Sequence, residues 1–311
     1  MLSDIVKLGK RIYRTENPRE LHRFIVFLGR SEVHRRGMKE LCAWFEQNAL
    51  RRQLLERNPF PIEQATRAFF YAGSTFSERK QLICHHFEML QERLRPGAFL
   101  KLGGLDARYP IWKSSDEDID WAADLTFEPG QRKEGLLCVE MRLAGRQLYQ
   151  IIFWLGRDKA GEDSLFIGAM QGPNMEGARD IIKDITKRSH RYRTKNLILY
   201  MAQAVARAFG MKHIYAVTNT GYYAQNHVRR DRKLKTDFGA FWEEAGGHRT
   251  NDPRFDELPL VEPRKTMEEV PTRKRAVYRR RFAFLDDVDA QIAANMAKVL
   301  RQPEDHAGES R

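Results

Sequence analysis

The stretch SLFIGAMQGP, residues 164–173, carries apolar residues into a turn rich in glycine and proline. The apolar run predicts a strand, and the residues that follow the turn predict a helix. A helix that begins after such a turn presents free backbone N–H groups, which bind phosphate well. The segment Gly168–Gly177 is therefore a candidate anion-binding site, and the alternative is a plain turn that leaves a sheet.

Three titratable side chains are of types that perform acid–base catalysis. Glu140 alternates with apolar neighbours in CVEMRL, so its carboxyl group faces either a cleft, as a general base, or the solvent. His227, in QNHVRRDR, has a side chain that titrates near neutral pH. Asp237 lies in KTDFGAFWEEAGG, either as a base or amine anchor or near the start of a helix whose aromatic residues pack in the core.

Positive charge is concentrated in two segments of a chain whose net charge is +12. Residues 179–235 contain fourteen lysines and arginines in total, against three aspartates. Residues 263–281 contain eight lysines and arginines, against two glutamates. Such clusters indicate an anionic partner: a phosphorylated cofactor, an anionic membrane surface or nucleic acid. The sequence contains no nucleic-acid-binding motif, so nucleic acid is not the favoured partner. A solvated basic face without a partner is the remaining alternative.

Composition narrows the class of protein. The chain has 311 residues, is 42% hydrophobic and contains no apolar run long enough to cross a membrane. Its first twenty residues lack the apolar core of a secretory signal. The three cysteines lie far apart, and no histidines have the spacing of metal ligands. We therefore expect a cytoplasmic protein, at most peripheral at the inner membrane, without a disulfide framework or a metal site.

The hydrophobic pattern predicts an α+β fold with a helical N-terminal region, residues 1–95, that ends at Pro96–Gly97. Short apolar runs then predict strands, and the last three form an antiparallel meander with a tight turn at Leu143–Arg146. Two helices, a buried strand in KHIYAVTN and further helices follow. KRAVYRRRFAFL predicts a last strand before a short helix. The α+β domain is expected to span residues 96–295, and residues 296–311 a polar, flexible tail.

Four motifs resemble those of the VirK/YbjX family of bacterial proteins: FIGAMQGP, AVTN, KTDFGAFWEEAGG and KRAVYRRR. The resemblance covers roughly residues 20–295 of the chain. It implies an association with virulence, envelope integrity and resistance to cationic antimicrobial peptides. It attaches no agreed reaction to the domain.

The order of meander, turn, helix, buried strand and helix is similar to the core of the GNAT-type N-acyltransferases. In those enzymes the last meander strand separates from the next strand, acyl-CoA lies in the gap, and its pyrophosphate binds at the following helix. The similarity implies that Phe166–Met170 is the separating strand and Gln171–Gly177 the pyrophosphate turn. The turn departs from the usual Q/R-x-x-G-x-G/A pattern, since Pro173 removes a donor and Glu176 adds negative charge. Two helices, rather than one, also lie between the strands.

The same similarity implies an active site with acyl-CoA as the cofactor. A backbone N–H near Met170 is expected to stabilise the oxyanion, and Tyr222 or Tyr223 to act as the general acid. Asn219 is expected to cap the helix after the buried strand. The expected cofactor-binding residues are Met170, Gln171, Gly172, Asn174, Gly177, Asn219, Arg229 and Arg230. The catalytic candidates are Glu140, His227, Tyr222, Tyr223 and Asp237.

Three functional hypotheses follow from these observations. The first is transfer of an acyl or aminoacyl group to an amine or hydroxyl acceptor, at or near the inner membrane surface. The second is a non-catalytic basic protein that binds anionic lipid or a partner protein. The third, less favoured, is an RNA-binding regulator.

Overall fold

The computed structural model describes residues 2–105, 108–226 and 237–302. Its N-terminal region is helical, as expected. Pro96 begins a further helix rather than ending the region, because proline is favoured in the first turn of a helix. The seven helices are α1 (Leu2–Ile12), α2 (Pro18–Val33), α3 (Arg35–Glu46), α4 (Ala49–Arg57), α5 (Phe60–Thr66), α6 (Phe76–Arg93) and α7 (Pro96–Leu102).

The strands form one mixed sheet in the order β1-β2-β3-β4-β5-β6-β8-β7. Among the described strands, β5 and β6 pair in parallel and all other neighbours are antiparallel. This confirms the expected α+β fold with a largely antiparallel sheet. The strands are β1 (Arg108–Lys113), β2 (Trp121–Thr126), β3 (Leu137–Leu143), β4 (Arg146–Arg157), β5 (Asp163–Gln171), β6 (His213–Val217), β7 (His248–Arg249) and β8 (Phe255–Leu258).

The predicted hairpin joins β3 to β4 through a two-residue turn at Ala144 and Gly145. Both residues have positive φ, +48° and +71°, as a tight hairpin that follows the twist of the strands requires. The short strands β7 and β8, of two and four residues, were not predicted. They complete the sheet beyond β6.

Helix α6 connects the helical region to the sheet. A capping box at Thr75 and Glu78 begins the helix, since each side chain accepts a hydrogen bond from the backbone N–H of the other. The helix packs against β4, where Nδ1 of the buried His86 accepts a hydrogen bond from the Leu155 N–H over 3.0 Å. The N-terminal helices therefore cover one face of the sheet, with α6 in contact with β4.

Four further helices follow β5 in the described part of the chain. Helix α9 packs against β3 and β4, whose residues are buried in nearly unbroken runs, so that both faces of the central sheet are covered. Gly210, which has a φ of +72°, follows α9 and prevents the helix from continuing, as the sequence predicts. The helices are α8 (Ala178–Arg188), α9 (Thr194–Ala208), α10 (Phe238–Glu244) and α11 (Thr272–Ala297).

The last predicted strand is wrong, because KRAVYRRRFAFL forms the first half of the 26-residue helix α11. The buried residues farther along the helix, Leu285, Val288, Ile292 and Met296, recur every three or four positions and set the helical period. Helix α11 also covers the edge strand β1. Gln291 Oε1 accepts a hydrogen bond from the Lys113 N–H, and Asn295 Nδ2 donates one to the Ile111 carbonyl.

The expected flexible tail does not begin at residue 296. Met296 and Val299 are buried, and two backbone hydrogen bonds join residues 299–301 to residues 93–95 at the end of α6. Residues 303–311 lie outside the described part of the chain.

Candidate functional site

Strands β5 and β6 separate before either one ends. Their pairing runs from Ser164–His213 to Ile167–Ala216, whereas β5 continues to Gln171 and β6 to Val217. On its other side β5 has a bulge at Gly168, which lies between the residues that pair with β4. Among the described strands, the end of β5 after Ile167 therefore has no strand partner on its β6 side, and we call this unpaired edge the opening.

The loop between β2 and β3 crosses this opening at Gly168. A Cβ atom at Gly168 would overlap the carbonyl oxygen of Glu134, so the close approach requires glycine. The amide of Gln64, in α5, donates hydrogen bonds to the carbonyl oxygens of Arg132 and Gly135 over 2.7 and 3.0 Å. These contacts hold the loop against the sheet and place Glu134 at the opening.

The Glu134 carboxylate is 3% exposed and receives two hydrogen bonds. Tyr222 donates its hydroxyl to Oε1 over 2.5 Å, and Gln171 donates its Nε2 to Oε2 over 2.7 Å. The amides of Gln171 and Gln131 also exchange two hydrogen bonds, of 2.7 and 2.9 Å. We call Gln131, Glu134, Gln171 and Tyr222 the Glu134 site.

Electrostatics couple the two acidic groups of the Glu134 site. Burial raises the pKa of Glu134 above its ordinary value, while the hydrogen bonds from Tyr222 and Gln171 act in the opposite direction. Burial, followed by the negative charge of Glu134, raises the pKa of Tyr222 well above its ordinary value. The proton therefore stays on Tyr222 as long as Glu134 is ionised.

Tyr222 is held in place by the segment that follows β6. The backbone of Tyr222 bridges to Tyr71, and the Ala72 N–H donates to the Gly221 carbonyl over 2.8 Å. Tyr223, the other predicted acid, is buried, with its ring 4.8 Å from the Tyr222 ring and 6.1 Å from that of Phe69. Of the two tyrosines, Tyr222 is the one that contacts the buried carboxylate.

Asn219 and Asp237 meet at the start of α10. Asn219 Oδ1 accepts a hydrogen bond from the Phe238 N–H, and its Nδ2 donates to Asp237 Oδ1; both distances are 2.8 Å. Asp237 Oδ1 also accepts from the Ala240 N–H over 3.1 Å, as an N-cap does. The hydrogen bond from Asn219 lowers the pKa of Asp237, which weakens it as a base. Its catalytic role stays a prediction.

Glu140 lies two strands away from Gln171, in the middle of β3. Its buried carboxylate accepts a hydrogen bond from Gln150 over 3.0 Å and forms an ion pair with Arg108 at 2.7 Å. Register places Glu140 opposite Gln150, and Gln150 opposite Gln171, so a polar row crosses the sheet toward the Glu134 site. The contacts of Glu140 are those of a buried ion pair, and its role as a base stays a prediction.

The remaining predicted residues lie near the end of β5, in the turn that follows it, or outside the described part of the chain. Met170 is buried in β5, whereas Gly172 and Asn174 are exposed in the turn. Gly177 has φ +71° at the N-cap position of α8, which glycine tolerates. His227, Arg229 and Arg230 are not among the described residues. The proposed contacts of all these residues with a cofactor stay predictions.

Sequence reasoning missed Glu134 and Gln131. Both lie in EPGQRKEGLL, which has the polar, glycine-containing composition of a solvated loop. Glu134 is buried only because the loop folds onto Gly168, which lies 34 positions later in the sequence numbering. The one local signal is Gly135, where a Cβ would clash with the backbone of Phe153.

The model of a family described as a protein of unknown function, DUF535, matches residues 16–294. The chain belongs to this family. YbjX of Escherichia coli strain K12, which is named an uncharacterized protein, is 29% identical over 262 residues, covering 82% of this chain and 77% of YbjX. The resemblance to the VirK/YbjX family is thereby confirmed.

Two other relatives of the DUF535 chain are similarly distant. An uncharacterized protein of Haemophilus influenzae is 26% identical over 285 residues, covering 88% of this chain and 90% of its own. A protein of Mannheimia haemolytica named membrane protein LapB is 25% identical over 192 residues, covering 60% of this chain and 79% of its own length. No solved structure matches. Within the described ranges, no helix has both the length and the apolar character needed to span a membrane.

Proposed function

We propose that this DUF535 protein transfers an acyl or aminoacyl group from a phosphorylated thioester, such as an acyl-CoA, to an amine or hydroxyl acceptor. The observation that carries the proposal is the separation of β5 and β6 after Ile167 and Ala216, with a buried carboxyl–tyrosine pair at the opening. The order of meander, turn, helices, parallel strand and helix supports the similarity to N-acyltransferases. A fold does not establish a reaction, so the proposal also requires groups at the opening that can move protons.

In the proposed reaction, the acceptor nitrogen forms a bond to the thioester carbon, and the carbon–sulfur bond breaks. One proton must leave the nitrogen and one must reach the sulfur. Glu134, whose raised pKa makes it a better base than an exposed glutamate, accepts the proton from the nitrogen. Tyr222 gives its proton to the departing thiolate and regains one from Glu134.

The coupling between the two groups favours this order of events. The charge of ionised Glu134 is one cause of the raised pKa of Tyr222. When Glu134 has taken the acceptor proton, that charge is gone, and the pKa of Tyr222 falls. Tyr222 thus becomes a stronger acid at the stage at which the thiolate leaves.

Backbone groups next to the Glu134 site supply the remaining functions. In the proposal, a backbone N–H near Met170 stabilises the oxyanion, and the turn Gln171–Gly177 holds the phosphates of the donor before α8 begins. Pro173 and Glu176 make this turn a weaker phosphate site than the usual one. Phosphate contacts beyond the turn are therefore part of the proposal.

The first test is a thermal-shift titration of the whole chain with acetyl-CoA and with a long-chain acyl-CoA. A ligand at a hundredfold excess over its Kd stabilises the fold by ~2.7 kcal/mol. Gly172→Asp adds negative charge to the exposed turn and is expected to abolish the shift. Gly29→Asp, on the open surface of α2, adds the same charge elsewhere and is the control. Thiol release in the presence of amines then measures turnover. Absence of a shift with a folded protein would contradict the proposal.

A second candidate function rests on the exposed half of α11. Arg273, Lys274, Arg279 and Arg280 are exposed, and none of them forms an ion pair with another described residue. We define these four residues as the basic strip. Anionic lipid is the partner we propose for it, since the VirK/YbjX resemblance implies a link to envelope integrity, virulence and peptide resistance, and one relative is named a membrane protein.

Vesicle flotation tests the basic strip. The chain is expected to float with phosphatidylglycerol-containing vesicles and not with pure phosphatidylcholine, and to be released by salt. Changing all four residues of the strip to glutamine should abolish binding. The control, Arg35→Gln with Arg36→Gln, alters exposed arginines that already pair with Glu32 and Glu40. Equal binding by both variants would overturn the assignment.

A further inference from the structure

A cleft of about 660 Å³ lies between α6, the β4–β5 turn and the loop that joins β7 to β8. Its floor is aromatic: Trp154, Phe166 and Tyr215 stand side by side on three neighbouring strands. Their ring centroids are 5.5 and 5.2 Å apart, with interplanar angles of 4° and 27°. Tyr71 and Phe255 also line the cleft, in a T-shaped contact at 5.5 Å. An apolar ligand body that enters the cleft therefore meets a continuous row of aromatic side chains.

The carboxylates that line the cleft are already engaged by the protein. Asp158 accepts two backbone N–H groups of its own turn and the Tyr215 hydroxyl, over 2.8–3.0 Å. Asp252 accepts two hydrogen bonds from Arg254, over 2.7 and 2.9 Å. Glu257 contacts a histidine of β6 at 2.7 Å. The fourth carboxylate, Glu78, forms the capping box of α6.

The cationic side chains at the rim of the cleft are more exposed and farther from their partners than the carboxylates are. The side chains of Arg157, Lys159 and Arg249 are 50%, 83% and 74% exposed. The nearest carboxylates lie 3.6, 3.7 and 3.6 Å away, beyond hydrogen-bond distance. In the described part of the chain these three side chains donate no hydrogen bond to another side chain. They are therefore available to an anionic group at the mouth of the cleft.

Two amide side chains also line the cleft. Gln81, on α6, and Asn251, on the loop after β7, face the cleft and have no hydrogen-bond partner among the described residues. Each offers a donor and an acceptor, the pair that the edge of a nucleobase recognises. An aliphatic chain would leave both amides unused.

We propose that this cleft binds a nucleoside monophosphate. The base lies against Trp154, Phe166 and Tyr215, the amides contact its edge, and Arg157, Lys159 and Arg249 bind the phosphate. The volume is within the range of small-molecule sites. Because the Glu134 site contributes none of these residues, the inference stands apart from the proposed acyl transfer. A free nucleotide and the 5′-phosphorylated end of a nucleic acid offer this same chemistry.

Calorimetric titration of the whole chain with adenosine 5′-monophosphate tests the proposal. The variant with Arg157, Lys159 and Arg249 all changed to glutamine is expected to bind at least ~10-fold more weakly, because charge-assisted hydrogen bonds are lost. Adenosine, which lacks the phosphate, should bind both proteins equally. The Arg35→Gln, Arg36→Gln protein serves as the control, and Glu134→Gln should leave nucleotide binding unchanged.

Absence of binding at millimolar nucleotide, or equal affinity in the rim variant, would overturn the proposal. Binding of inorganic phosphate as tight as that of the nucleotide would also overturn it, because the aromatic floor would then contribute nothing. Titration with a 5′-phosphorylated hexaadenylate distinguishes a free nucleotide from the 5′-phosphorylated end of a nucleic acid as the ligand. Tighter binding than the mononucleotide indicates a nucleic-acid end, and equal or weaker binding indicates a free nucleotide.

Discussion

The hydroxyl of Tyr222 donates a hydrogen bond to Glu134 across 88 positions of sequence. One residue lies on the loop between β2 and β3, and the other follows β6. Gln171, at the end of β5, donates to the second oxygen of the same carboxylate. The buried carboxyl group therefore has its present surroundings only when the sheet from β2 to β6 is complete.

Glu134→Gln is expected to lower the rate of thiol release by roughly 10²–10⁴-fold, the usual contribution of a general base.

Activity requires ionised Glu134, so the rate falls as the pH drops through its raised pKa. In Tyr222→Phe the hydrogen bond that lowers this pKa is lost, and the acidic limb moves to higher pH. The profile of kcat/KM against pH checks this. If the acidic limb lies at the same pH in the unaltered protein and in Tyr222→Phe, the electrostatic coupling between Glu134 and Tyr222 is ruled out.

Gly168→Ala should destabilise the protein by roughly 1–3 kcal/mol, because the added methyl group has no room against the Glu134 carbonyl. Gly97→Ala is the matched control, since a Cβ there meets nothing within 4 Å. Alanine within α7 is expected to leave stability unchanged or raise it. Urea unfolding of both variants measures the difference. Equal stability of both would mean that the loop does not rest on Gly168.

Asp237→Ala is expected to lower the melting temperature by a few degrees, because α10 loses its N-cap and Asn219 loses an acceptor. Asp237→Asn keeps a capping oxygen and should melt close to the unaltered protein. The pair of variants separates the two roles of this residue. A loss of thiol release in the asparagine variant, at normal melting temperature, would indicate catalysis, whereas retained activity indicates capping alone.

Burial lowers the pKa of His86 to about 3. The unfolded chain binds this proton near pH 6.5, so the contribution of His86 is fully present above that pH and is lost as the pH falls toward 3. We expect the free energy of unfolding to fall by roughly 2 kcal/mol between pH 7 and pH 5 from this group. His86→Gln removes the titration and keeps an acceptor for Leu155, and His85→Gln is the control. Equal pH dependence in all three proteins would contradict the assignment.

Local patterns predicted the elements that local chemistry determines. The hairpin at Ala144 and Gly145, the buried strand β6 and the helix that starts at Asp237 all carry turn, apolar or capping signals. KRAVYRRRFAFL predicts a strand because it combines basic residues with aromatic and β-branched ones, whereas the packing that makes this part of α11 helical comes from elsewhere in the chain. Phe284, for example, packs against Trp112 and Trp121, on two different strands.

The Glu134 site shows the same division. Gln171 and Tyr222 lie beside a recognisable strand end and strand, and the similarity to N-acyltransferases implies a role for each of them. Glu134 was invisible, because its burial depends on a loop that packs against a glycine of another strand. The aromatic floor of the cleft was equally hidden, since Trp154, Phe166 and Tyr215 become neighbours only through strand register.

Helix α11 covers β1, and residues 299–301 bond to residues 93–95. During synthesis, the edge of β1 and the end of α6 consequently stay uncovered while about two hundred further residues leave the ribosome. The exposed edge strand of the nascent chain is open to pairing with other chains during that interval. The edge of β1 is thus protected from such pairing only after α11 has emerged and packed against it.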